Sequence, residues 1–128
     1  MSPEFLAEDF ISYYDNGTIR RIEKIVEGKK EGTHVWFFEN GKVEAIKQYS
    51  NGFENGELLW FYRNGNPQAK VNYRDGQKFG NYIWYYENGQ VKERGSWKNK
   101  KRDGTYACYN EDGGIQDSAI YKNGVKLK

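Results

Sequence analysis

The sequence predicts an all-β protein, an elongated, twisted, single antiparallel β-meander of about ten strands built from hairpin repeats. Glycines at 17, 41, 65, 89 and 113 recur every 24 residues. Two more glycine columns keep that period: one at 32, 56, 80 and 104, the other at 28, 52, 76 and 124 with Lys100 standing in once. Around them runs one repeated outline, "WFFENGKVEAIKQYSNG" from Trp36, "WFYRNGNPQAKVNYRDG" from Trp60 and "WYYENGQVKERGSWKNK" from Trp84, with a worn copy, "SYYDNGTIRRIEKIVEG", from Ser12. Although only 37% of the residues are hydrophobic, 17% are aromatic, which separates the chain from disordered sequences and predicts a largely aromatic buried surface.

A chain of 128 residues is one domain by size, and no linker divides it. Residues 1–9 read as an N-terminal segment, in which "MSPEF" looks partly like a cloning remnant, so that a signal peptide trimmed from the original remains open. Residues 10–128 form the repeat domain. Each unit begins with an aromatic and β-branched run, turns at Asn-Gly or a relative, continues as an alternating polar run and ends at another glycine turn, which is a β-hairpin signature. Turns this short make consecutive strands antiparallel neighbours. At the usual spacing the sheet would extend to roughly 45 Å with strands of about 20 Å, and its twist would give it a concave and a convex face.

A two-residue Asn40-Gly41 loop would pair Glu39 with Lys42 and set Phe38 opposite Val43, Trp36 opposite Ala45 and Gly32 opposite Tyr49. The same counting sets Trp60 against Ala69, Trp84 against Glu93, and Gly56 and Gly80 against Tyr73 and Trp97. Toward the ends, Ser12 faces Arg21 and Cys108 faces Asp117, so the ring-bearing face is dry in the middle and wetter at its margins. Val35, Phe37 and Ile46, mixed with Glu44, Gln68 and Lys92, would lie on the other, half-solvated face. A three-residue loop would slip this register by one.

These units resemble the bacterial MORN repeat variant, whose pattern runs aromatic-aromatic-acidic-Asn-Gly, a polar strand, then aromatic-x-Asn-Gly-Lys and a further glycine. "YYENGQVKERGSWKNKKRDGTY" from Tyr85 and "FFENGKVEAIKQYSNGFENGEL" from Phe37 carry the likeness, which spans about residues 10 to 128. Departures fall at the edges, where Ser12 and Cys108 replace the tryptophan and "YNEDGG" replaces the cleaner turn, as terminal repeats do. The resemblance implies a curved antiparallel sheet serving as a binding or scaffolding module, and an antitoxin-like or immunity-like role. It transfers no catalytic residue.

The chemistry of the side chains points the same way. His34 is the only histidine and Cys108 the only cysteine, so neither a metal set nor a nucleophile-base pair can be assembled, and neither catalytic nor metal-binding residues nor a cofactor is expected. His34 reads as a tolerated sheet residue. Twenty basic and 18 acidic residues leave a net charge of +2, which disfavours nucleic acid and anionic membrane surfaces as partners. No run is apolar enough to span a membrane, and a cytoplasmic protein is expected. A single-layer sheet has nothing to hide an aromatic stripe, so a protein partner is expected on Trp36, Phe38, Trp60, Tyr62, Trp84 and Tyr86, with Tyr49, Tyr73 and Trp97 beside them. A homodimer would cover the same stripe. The expected function is therefore a non-catalytic protein-binding module of inhibitor, antitoxin or immunity type; a stacking-type binder of glycans or single-stranded nucleic acid is the alternative.

Overall fold

Aromatic and β-branched runs bounded by residues that tolerate positive φ fold, in the computed structural model, into one antiparallel sheet; the structure describes residues 7–128. In chain order its strands are β1 (Ala7–Tyr13), β2 (Ile19–Val26), β3 (Lys29–Lys30), β4 (Gly32–Phe37), β5 (Val43–Ser50), β6 (Phe53–Glu54), β7 (Gly56–Phe61) and β8 (Pro67–Arg74). There follow β9 (Gln77–Lys78), β10 (Gly80–Tyr85), β11 (Val91–Lys98), β12 (Lys101–Arg102), β13 (Gly104–Tyr109), β14 (Ile115–Lys122) and β15 (Val125–Lys126). The ten long strands form an uninterrupted meander, and each of the five two-residue strands folds back on the long strand before it. Most of the N-terminal segment expected at 1–9 lies outside the described residues, and residues 7–9 run on into β1.

The five short strands were not foreseen in the sequence. Segments such as "NGFENG" read as plain turns, but Asn51 and Gly52 both take positive φ (53° and 86°), the geometry of a two-residue type I′ turn. Such a turn matches strand twist, so Phe53 and Glu54 pair back onto Ser50 and Tyr49 before the chain leaves for the next hairpin.

The Asn-Gly loops differ from expectation in a way that cancels. Gly41 N–H donates to Phe38 O at 3.0 Å, Phe38 N–H donates to Lys42 O at 2.8 Å, and Gly41 sits at φ 87°. This is a three-residue loop with a left-handed glycine, not the two-residue loop that would pair Glu39 with Lys42. Phe38 therefore closes the loop with Lys42, and Phe37, not Phe38, lies opposite Val43. The slip is undone one step later: between Phe37–Val43 and Trp36–Ala45 the strand β5 accommodates Glu44 as a bulge. Arg20, Gln68, Lys92 and Gln116 are skipped in the same way in the other hairpins. Beyond the bulge the expected pairs hold, including Gly32–Tyr49, Trp60–Ala69, Gly56–Tyr73, Trp84–Glu93, Gly80–Trp97, Ser12–Arg21 and Cys108–Asp117.

Two ladders join the loops along the sheet edge. In four of the loops the asparagine Oδ1 accepts the N–H two residues on, as Asn40 does from Lys42 at 2.9 Å, and in the last loop Asp112 Oδ1 accepts from Gly114 in the same way. The asparagine amide then reaches the following loop: Asn16, Asn40, Asn64 and Asn88 donate to the carbonyls of Glu39, Arg63, Glu87 and Glu111. Tyr14, Tyr62 and Tyr86 add a parallel row, donating to the carbonyls of Phe37, Tyr85 and Tyr109 at 2.6–2.7 Å.

The core lies on one face. His34, Ala45, Leu58, Ala69, Val71, Tyr82 and Ala119 are the buried side chains among the described residues, and strand alternation places all of them on the face that carries Trp36, Trp60 and Trp84. Small residues and short aliphatics sit under a canopy of large rings, so a single layer achieves burial without a second one.

Candidate partner-binding groove

Three parallel rows of side chains, set by the register, build the buried face. One row crosses Trp36, Ala45, Trp60, Ala69, Trp84 and Glu93, alternating rings with small residues until the glutamate. The next holds His34, Lys47, Leu58, Val71, Tyr82 and Gly95. Tyr49, Tyr73 and Trp97 occupy the third, each faced across the short strands by Glu54, Lys78 and Arg102. Between these rows opens a groove of about 430 Å³ lined by Trp60, Trp84, Trp97, Tyr73, Val71 and Leu58 together with charged side chains.

Those charges lie on the rings. Lys47 Nζ is 5.2 Å from the Trp36 ring centre and 4.9 Å from that of Trp60, and its ammonium is 3.9 Å from Glu54. Lys78 Nζ and the Arg102 guanidinium are each 5.2 Å from Trp97. Ring faces carry the negative side of the aromatic quadrupole, so a lysine or arginine laid over one stays hydrogen-bonded to water at its edge while covering apolar surface. This is how Lys47 on β5 and the charged short strands shield an aromatic face that has no second sheet.

At one end of the groove lies a polar network. Tyr82 Oη donates to Glu93 Oε2 at 2.7 Å and accepts from Arg102 Nη1 at 2.8 Å, and Arg102 Nη2 is 3.9 Å from the same carboxylate oxygen. Burial, reinforced by the hydrogen bond to Glu93, pushes the Tyr82 phenol up to about 12. Tyr82 also leans across Gly95, where a Cβ would lie 2.7 Å from the phenol; only glycine fits that position. Burial and then Glu54 raise the Tyr49 and Tyr73 phenols as well.

His34 is fully buried, between Tyr49 (ring centres 4.7 Å) and Trp36 (6.1 Å). Its Nε2 meets the backbone of Lys24, 3.0 Å from the carbonyl oxygen and 3.3 Å from the nitrogen. It packs as a sheet residue. Cys108 is half-buried and free, and no group of three or more His, Cys, Asp or Glu that could hold a metal occurs among the described residues.

Of the aromatic residues singled out from the sequence, Trp60, Tyr73, Trp84 and Trp97 meet in the groove. Trp36 and Tyr49 continue the same face beside His34. Phe38, Tyr62 and Tyr86 are not brought there: they sit at the bases of the Asn-Gly loops, where the two tyrosine hydroxyls are spent on backbone carbonyls of the following repeat. The charged half of the groove, Lys47, Glu54, Lys78, Glu93 and Arg102, was missed as a set. The signal was present in the period-24 column Lys30, Glu54, Lys78, Arg102 and Lys126, charged in every repeat.

The model of the MORN repeat variant family matches residues 30–51, 54–75 and 80–99, together half of the chain. A comparison with curated proteins finds no match. Among solved structures the chain is similar to one described as "Crystal structure of accessory secretory protein 1,2 and 3 in Streptococcus pneumoniae", with 17% identity and a TM-score of 0.43 over 78% of this chain and 18% of that one. The chain thus spans less than a fifth of that protein. No helix among the described residues is long and apolar enough to cross a membrane. Three consecutive hairpins matched by the family model, in the register just described, make the chain a member of the MORN repeat variant family.

Proposed function

We propose that this protein is a non-catalytic protein-binding module that docks a partner in its aromatic groove and acts by steric occlusion, as an inhibitor, antitoxin or immunity-type protein does. The observation that supports it is the incomplete cover of the groove. Its rings and charges form an open surface of large aromatics with charged side chains around them, the composition that interface hot spots favour. Trp84 remains 40% exposed at its centre. Family membership supports the coarser reading of a repeat module.

The test is affinity capture from the native cell extract with wild type and Trp84→Ala, each first checked for fold by circular dichroism and size exclusion. A protein identified with wild type and lost at least tenfold with the variant supports the reading. Retention by both moves the interface off the groove. Absence of any captured protein, with soluble oligosaccharides or oligonucleotides bound instead, would favour the stacking-ligand alternative.

A further inference from the structure

The tryptophan ladder is capped by the chain's own side chains at two of its steps and left open at a third. Between Trp36 and Trp60 the cap is Lys47, whose ammonium lies about equally over both rings, at 5.2 and 4.9 Å. The period of 24 brings position 47 back as Val71, between Trp60 and Trp84, and as Gly95, beyond Trp84. At the Gly95 step the space is taken by Tyr82, with Arg102 and Glu93 hydrogen-bonded to it or beside it. At the Val71 step the short side chain forms a buried floor, Trp60 and Trp84 form the walls, and the groove opens above. Among the described residues no cation lies over the Trp84 ring, and Trp84 is more exposed than half-buried Trp36 and Trp60.

We propose that the slot between Trp60 and Trp84 takes a lysine or arginine side chain of the protein partner, in the place that Lys47 occupies one repeat earlier. The inference rests on reading the groove as a partner surface and names the chemistry of the group that enters it. Two observations select a cation. Lys47 shows that two rungs of this ladder, at this spacing, hold an ammonium between them. Replacing that lysine by valine removes the charged stem and keeps the apolar floor, which leaves room for a stem arriving from outside. The groove's carboxylates, Glu54 and Glu93, already have partners in Lys47 and in Tyr82 and Arg102. The groove's own remaining cations, Lys78 and Arg102, are held over Trp97 in the neighbouring row.

The experiment follows the indole N–H signals of the four tryptophans by NMR while n-butylammonium or ethylguanidinium, stand-ins for the two side chains, is added. Butyrate and n-butanol serve as charge controls. Saturable shifts at Trp60 and Trp84, smaller at Trp36 and absent with the controls, are expected. Val71→Lys, which fills the slot by the repeat's own device, should weaken the response at least fivefold. Trp84→Leu, which keeps an apolar side chain at a site already 40% exposed, should do the same if Val71→Lys does not fold. No saturable shift with either cation, an equal response to butyrate or butanol, or an unchanged response in a folded variant would overturn the proposal. The titration needs no partner, so its failure is separate from failure of the capture experiment, which tests the partner-binding reading itself.

Discussion

The Tyr82 phenol lies between a carboxylate and a guanidinium, and its protonation is tied to folding. Its value of about 12 in the folded protein exceeds the ordinary value of 10.0, so the neutral form is favoured on folding. The stabilisation is fully present below pH 10 and is lost as the pH rises through the folded value; by linkage it amounts to roughly 2–3 kcal/mol. Urea midpoints should therefore fall between pH 10 and 12, and Tyr82→Phe should flatten that fall. At pH 7 the same variant should cost about 1–2 kcal/mol, because Arg102 and Glu93 lose their shared partner. A second residue carries visible strain. Lys100 takes φ 66° in the turn position held elsewhere by Gly28, Gly52, Gly76 and Gly124. Left-handed backbone costs a residue with a Cβ about 1–2 kcal/mol, part of which glycine's chain entropy returns. Lys100→Gly should raise stability by about 1 kcal/mol in urea denaturation.

At the level of the hairpin, the loops hold the repeats in register. The tyrosine row has a gap: Tyr14, Tyr62 and Tyr86 bond the next repeat, while Phe38 in the same column has no hydroxyl and instead lies under the Arg63 guanidinium at 5.2 Å. Phe38→Tyr, which keeps the ring beneath Arg63, should supply the missing bond to the Phe61 carbonyl and add about 1 kcal/mol, read from the urea midpoint; no gain would show that the new hydroxyl does not form that bond. The hairpins also show how much was legible in the sequence. Trp36–Ala45 and Gly32–Tyr49 follow from counting outward from Asn-Gly, yet the loop used for the count was the wrong one. The count survived because the bulge at Glu44 offsets the third loop residue. Neither feature has its own sequence signal, since Asn-Gly serves both loop types and a bulge residue is simply one more polar position. Phe38, inside the slipped stretch, is where the expectation failed.

Across the molecule, every long strand pairs by backbone hydrogen bonds only with its neighbours in the sheet, so stability should add along the chain as in other repeat arrays. Removing one period, residues 32–55, joins Glu31 to Gly56 in phase and leaves Trp60, Val71 and Trp84 in place. The shortened protein should still unfold cooperatively, with a urea m value about a fifth smaller; loss of cooperative folding would show that the central repeats are not interchangeable. The period of 24, the hairpins, the tryptophan ladder and its small partners were all determined by the sequence alone, because they depend on local turn chemistry and on strand alternation. The short third strands, and the charges they fold over the aromatic face, were decided only by the tertiary structure. So was the vacancy above Val71. Lys47 over Trp60 and Lys78 over Trp97 are contacts between repeats, set by side-chain length and sheet curvature, and nothing in a single repeat's residue pattern records which ring another repeat will cover.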